Sequence, residues 1–271
     1  MTNDLTSLWD FARPDVSEQR FRTALANATG DDALILRTQI ARTHGLRRDF
    51  ERARRMLREI ETAATTAGPE VRVRVQLELG RTFASAAHPE DRLTPEAKDR
   101  ARAAYGRALE LARAAELDEL AIDAVHMLAF VDTAAADQLR WGEAALGIAL
   151  SSWQPRAKAW EASIRNNVGY ALHRLGRHGE ALSQFQLALA IRERGTNTEA
   201  TRVARWMVAW TLRSLGRAEE ALRLQLALEE EADAAGRPDP YVFEELEALY
   251  RTMGDERRAE FYAERLAAAR R

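Results

Sequence analysis

Apolar residues along this chain recur every three or four positions and nowhere settle into alternation. Ile164, Val168, Leu172 and Leu175 keep helical spacing, and after a turn Leu182, Phe185 and Leu189 resume it. The stretch "NNVGYALHRLGRHGEALSQFQLALAIRERG", Asn166 to Gly195, therefore reads as two amphipathic helices joined tightly. A similar pair, "ARWMVAWTLRSLGRAEEALRLQLALEEE", starts at Ala204, about forty residues later. No segment alternates apolar and polar residues between turn signals, so no strand is expected. Prolines fall mostly at helix starts or in gaps. Thr94 is placed to cap a helix whose first position is Pro95, with Glu96 at its positive end. Asp15 and Glu18 have capping-box spacing ahead of "QRFRTALANA".

The hairpins repeat. "LGRHGEAL", "LGRAEEAL" and "MGDERRAE" each pair a Gly ending one helix with an Ala early in the next: Gly176 with Ala181, Gly216 with Ala221, Gly254 with Ala259. The Gly permits a left-handed helix end, and the Ala lets two helices approach closely. Upstream, Ala53 stands in "LRRDFERARRML", and Ala101, Tyr105 and Ala108 follow "LELGRTF" with its close-packing Gly80. A weaker unit lies between Met127 and Leu146.

These residues carry a family resemblance. In order, Gly169, Gly176, Ala181, Phe185 and Ala188 match the small residue, turn Gly, Ala, aromatic and small residue of a tetratricopeptide repeat (TPR) hairpin. Gly80, Ala101, Tyr105 and Ala108 match it with an insertion, "SAAHPEDRLTPEAKD", between the helices. The fifth unit departs by placing Gln225 at the aromatic position, and the third by placing Gln138 where Ala is expected. The long period, the "NN" before "VGYAL" and the "ALAIRERG" after it resemble the kinesin-light-chain-like subclass and stand-alone bacterial TPR proteins. The resemblance implies an all-α fold, a right-handed superhelical array of about six antiparallel hairpins, as a single solenoid over 1–271. Residues 1–30 are expected to cap the N-terminal end and 31–271 to form the hairpins, the charged "DERRAEFYAERLAAARR" closing the other end.

In that family the first helix of each hairpin lines a concave groove. The stripe left over by the core would then include Asn166, Asn167, Tyr170, His173 and Arg174 in the fourth unit, and Trp206, Trp210 and Arg213 in the fifth. Earlier units would add Arg42, Arg81 and His126, beside Gln39, Arg74, Glu78, Asp123 and Phe130; the sixth would add Tyr241, Glu244 and Arg251. Amides can pair with a peptide backbone, aromatics give apolar contact at small entropy cost, and arginines hold carboxylates. The expected partner is a protein or extended peptide, with an acidic group to meet the arginines. Asn167, with Asn166, would hold its backbone, as the resemblance implies. Packing of Asn167 or of either tryptophan against a neighbouring hairpin is the structural alternative. Val203 and Met207 stand where repeats that bind chaperone tails carry cations, which argues against that ligand.

Composition narrows the remaining chemistry. A formal net charge of -2 gives no footprint for nucleic acid. The absence of cysteine removes disulfides, thiolate metal sites and cysteine nucleophiles, and suits a reducing, cytoplasmic setting. The predominance of arginine over lysine suggests a GC-rich, bacterial genome. No apolar run is long enough to span a membrane, and "MTNDLTSLWDFARPD" lacks the features of a secretory leader. Ala97 and Ala157 precede the two lysines, so no phosphate loop is present. Neither a G-x-S-x-G elbow nor an H-E-x-x-H helix occurs, and His173 and His178 lack a third ligand. The run Glu229–Glu231 reads as a solvated helix face. No catalysis, cofactor or metal is expected. Two alternatives to a peptide-binding scaffold stand: a homo-oligomer whose groove is filled by its own copy, and an enzyme assembled from groove histidines and carboxylates.

Overall fold

The computed structural model describes residues 5–63 and 66–270, and no strand occurs among them. The expected N-terminal cap is thus described from Leu5 onward; residues 1–4 of it, and of the stretch lacking a leader's features, lie outside the described residues. None of the described helices is long and apolar enough to cross a membrane. The chain gathers into two compact units, Met1–Ala159 and Trp160–Arg271.

In the first unit, α1 (Leu5–Leu8) and α2 (Pro14–Leu25) precede three hairpins: α3 (Gly30–Leu46) with α4 (Phe50–Ala63), α5 (Pro69–Arg81) with α6 (Pro95–Ala114), and α7 (Asp118–Val131) with α8 (Ala135–Ser151). A short α9 (Pro155–Lys158) follows. First helices pack on first helices, α3 on α5 and α5 on α7. Phe21, Leu36, Ile40, Leu57, Ile60 and Val71 form its N-terminal core. Thr94 caps α6 as its sequence suggests, accepting from the Ala97 amide at 3.2 Å. The capping box expected at Asp15 does not form. Pro14 opens α2 two residues earlier than a cap at Asp15 would require, which puts Asp15 inside the helix, and Glu18 turns instead to Arg22, Arg47 and His44.

The second unit is three hairpins: α10 (Glu161–Arg174) with α11 (His178–Arg192), α12 (Thr198–Ser214) with α13 (Ala218–Ala234), and α14 (Pro240–Thr252) with α15 (Glu256–Ala269). Ala181, Ala221 and Ala259 are each fully buried at the start of the second helix. The turn before each is built alike. Gly176 has φ 73° and donates to the His173 carbonyl, and Arg177 donates to the Leu172 carbonyl, so two otherwise orphaned carbonyls are satisfied. The same pair of bonds closes α12 at Gly216 and α14 at Gly254.

The aromatic of the repeat is held by the small residue opposite. A Cβ on Gly169 would lie 2.7 Å from the Phe185 ring, and one on Gly80 would lie 2.4 Å from the Tyr105 ring. In the fifth unit this logic is reversed. Ala209 stands at the position equivalent to Gly169 and Gln225 at that of the aromatic; both are fully buried. The Gln225 side-chain amide finds no hydrogen-bond partner among the described residues. The acidic run meets expectation only in part, Glu230 and Glu231 being exposed. Glu229 is half-buried, accepting from Tyr262 Oη at 2.8 Å and pairing with Arg265, while Glu231 accepts from Arg205 at 2.7 Å. These carboxylates bind α13 to its neighbours instead of merely solvating it.

Candidate functional site

Within the second unit, the first helices α10, α12 and α14 bring a run of rings onto one face. Tyr170 stacks on Trp210 with centroids 6.1 Å apart, His173 stacks on Trp210 at 3.4 Å, and Trp206 stacks on Trp210 at 5.8 Å. Tyr241 meets Trp206 edge-on at 6.3 Å. The spacing that produces this is simple: Tyr170 and Trp210 occupy equivalent positions in successive helices, and Trp206 lies one turn before Trp210. Tyr170 and Tyr241 remain exposed, at 44% and 66%, while the two tryptophans are half-buried. Trp206 donates its indole N–H to the Tyr241 carbonyl at 3.2 Å and Trp210 leans on α10, yet each keeps accessible surface.

The polar groups around the strip differ in how far they are engaged. Asn166 is half-buried and Asn167 exposed, and no hydrogen bond ties the Asn167 amide to another described residue. His173 Nε2 lies 2.9 Å from Ser214 Oγ. Desolvation, then the neighbouring His178 and Arg213, push its pKa down to about 4, so the ring is neutral near pH 7 and stacks as an uncharged plate. Arg213 gives two N–H bonds, 2.8 and 2.7 Å, to the buried Glu245 carboxylate, which raise its own pKa. Arg174 is exposed in the last turn of α10. Where the strip ends, Val203, Trp206, Met207, Leu228, Tyr241 and Val242 line a pocket of about 380 Å³, together with Glu199, Arg202 and Asp239. Arg202 is neutralised there by ion pairs to Glu199 and Asp239.

The other three expected residues, Arg42, Arg81 and His126, belong to the first unit and line a separate pocket of about 190 Å³. Arg81 bridges Glu78 at 2.7 Å and Asp123 at 2.5 Å. Burial works against the Asp123 charge, but Arg81 and Arg42 outweigh it and keep that carboxyl below its ordinary range. Arg42 lies under the rings of Trp9 and Phe11, 5.3 Å from each centroid, and the Trp9 indole donates to Gln39 Oε1 at 3.2 Å. Residues from the N-terminal segment therefore cover part of the stripe assigned to α3. His126 is exposed at its edge; desolvation, opposed by Asp123, holds its pKa below the ordinary imidazole value.

Sequence spacing brings the α10 and α12 residues together as expected but misses their partners. Glu245, Ser214 and the apolar wall of Leu228 and Val242 come from positions that a stripe count assigns to core or solvent. Trp9 and Phe11 reach α3 through a chain path with no helical periodicity. Opposite charges on successive first helices, Arg81 with Asp123 and Arg213 with Glu245, were the one signal available for the ion pairs.

Residues 160–227 match the model of the tetratricopeptide repeat family. No curated protein matches the sequence. Among solved structures, the apo form of RapI is similar with a TM-score of 0.74 at 13% identity, covering 98% of this chain and 73% of that one. A STAND signal-transduction ATPase with a tetratricopeptide-repeat sensor, from Pyrococcus horikoshii, has a TM-score of 0.72 at 12% identity; the match covers 94% of this chain and only 39% of that one. A Rap protein complexed with Competence and Sporulation Factor has a TM-score of 0.58 at 14% identity, covering 99% of this chain and 75% of that one. At these identities the structures bear on the fold alone, while the two hairpins richest in the repeat signature are those the family model matches. Residues 160–227 thus carry tetratricopeptide repeats, within a chain of all-α fold.

Proposed function

We propose that the protein is a non-catalytic, cytoplasmic binding module that holds an extended peptide or protein segment on the aromatic face of its second unit. The observation that carries this reading is the continuous strip Tyr170–His173–Trp210–Trp206–Tyr241, left accessible on the first helices and ending in an apolar pocket of about 380 Å³. A pocket of that size suits a bulky apolar side chain, with Asn167 beside the strip able to pair with backbone N–H and C=O. Likeness in fold to a Rap protein solved with its Competence and Sporulation Factor adds support. Because Arg213 already holds Glu245, the reading rests on apolar and amide contacts rather than on an acidic group in the partner.

The test is a selection from a random displayed peptide library on immobilised protein, followed by affinity measurement. Selected peptides should share a large apolar residue and lose about tenfold or more in affinity on Asn167→Ala or Tyr241→Ala. Both side chains are exposed, so neither change should lower the melting temperature appreciably. Peptides whose affinity is indifferent to both substitutions would refute the assignment of this face.

A further inference from the structure

The first unit holds a second, chemically different pocket. It lies near the ends of the first helices α3, α5 and α7, where Arg42, Glu78, Arg81 and His126 supply the polar lining and Leu46, Met127 and Phe130 the apolar one. Ser85, Ala86 and Ala87, the start of the insertion between α5 and α6, complete the lining. That segment is pinned: His88 Nδ1 accepts from the Ser85 amide at 3.2 Å and its ring stacks on Phe50 at 3.9 Å.

Two groups lining this pocket are incompletely bonded. Glu78 is 4% exposed; its Oε1 takes Arg81, but its Oε2 has no hydrogen-bond partner among the described residues. Arg42 Nε is likewise buried and donates to no described residue. The two side chains are close, with Arg42 Nη1 3.7 Å from Glu78 Oε1. A buried unsatisfied donor or acceptor is expensive, and more so when its group is charged, so a structure that keeps one of each beside a pocket has room for a ligand carrying the complements. Charge selects the ligand further. Arg42 and Arg81 are balanced by Glu78 and Asp123, so an added anion or cation would leave a buried charge unmatched. A neutral group with one donor and one acceptor fits. A volume of about 190 Å³ is below that of a drug-sized site and suits one side chain.

We propose that this pocket binds a carboxamide, the side chain of a glutamine or asparagine, whose NH₂ donates to Glu78 Oε2 and whose C=O accepts from Arg42 Nε. The methylenes of that side chain lie against Met127 and Phe130. That the carboxamide belongs to a polypeptide rests on the proposed function above; the pocket's preference for the group does not.

The experiment titrates full-length protein with three small probes and follows the Arg42 Nε–Hε signal by NMR, assigned by its loss in Arg42→Lys. N-acetylglutamine methylamide carries side-chain and backbone amides, N-acetylglycine methylamide carries backbone amides alone, and N-acetylmethionine methylamide has a similar length without the carboxamide. The glutamine probe should shift the signal saturably and bind about tenfold more tightly than the other two, because a site with buried polar groups rejects an analogue that leaves them unpaired. Ala87→Leu, which fills the pocket, should abolish the shift. Asn167→Ala should leave it unchanged even though it weakens peptide binding at the second unit, so failure of one assignment is told apart from failure of the other. Equal response to all three probes, stronger response to the glycine probe, or no saturable shift would overturn the proposal.

Discussion

At the scale of single residues, two positions carry the physical argument furthest. His173 is neutral in the fold because burial, and after it the neighbouring His178 and Arg213, disfavour its proton. Its folded pKa, about 4, lies below the ordinary 6.5, so the unfolded chain binds the extra proton first as pH falls. Stability from this residue is whole above about pH 6.5 and declines toward pH 4. Imidazole signals followed by NMR should show His173 titrating well below pH 6, and His173→Gln should lose less melting temperature than wild type between pH 7 and pH 5. A midpoint near 6.5 would contradict the packing described. The second position is the pair Ala209 and Gln225, the fifth unit's substitute for Gly169 and Phe185. Gln225→Phe alone should destabilise by about 1–3 kcal/mol through overpacking against Ala209, and adding Ala209→Gly should recover much of the loss. Urea denaturation of the four-member cycle measures that coupling, and strict additivity would refute it.

At the scale of elements, the turns were the most legible feature of the sequence. Gly176, Gly216 and Gly254 announce left-handed helix ends because L side chains resist that conformation, and all three adopt it. The same turn also occurs where no glycine marks it. Arg48, φ 65°, and Glu116, φ 56°, close α3 and α6 with equivalent pairs of bonds, Asp49 donating to the His44 carbonyl and Leu117 to the Ala112 carbonyl. Arg48→Gly and Glu116→Gly should each stabilise the protein by about 0.5–1 kcal/mol, read as a raised melting temperature; a lowered one would contradict the strain inferred. Helices, hairpin pairing and the aromatic-on-small contacts at Gly80 and Gly169 were likewise readable, since each depends on spacing of no more than one hairpin. What escaped notice depends on chain paths between hairpins: the cover of Trp9 and Phe11 over Arg42, and the capture of Arg213 by Glu245. A helical stripe shows which side chains share a face but not which of them neutralise one another across it.

At the scale of the whole molecule, the second unit has its own core of Leu228, Phe243, Leu246, Tyr250, Tyr262 and Leu266, besides the buried Phe185. A fragment of residues 160–271 should therefore fold alone, with helical circular dichroism and a cooperative melt, and Phe185→Ala should cost it about 3–5 kcal/mol. A disordered fragment would show that these hairpins depend on the rest of the chain. If the fragment folds and keeps the affinity of selected peptides, the aromatic strip is sufficient for binding.

The most direct test of the central claim is photo-crosslinking in the host cell, with benzoylphenylalanine placed in turn at Tyr170, Tyr241 and the exposed Ser183 of α11. Binding on the aromatic face predicts cross-links from positions 170 and 241 to one extended segment of a partner, found by mass spectrometry, and none from 183. Cross-links from 183 as abundant as from the strip, or products made only of two copies of this chain, would contradict it.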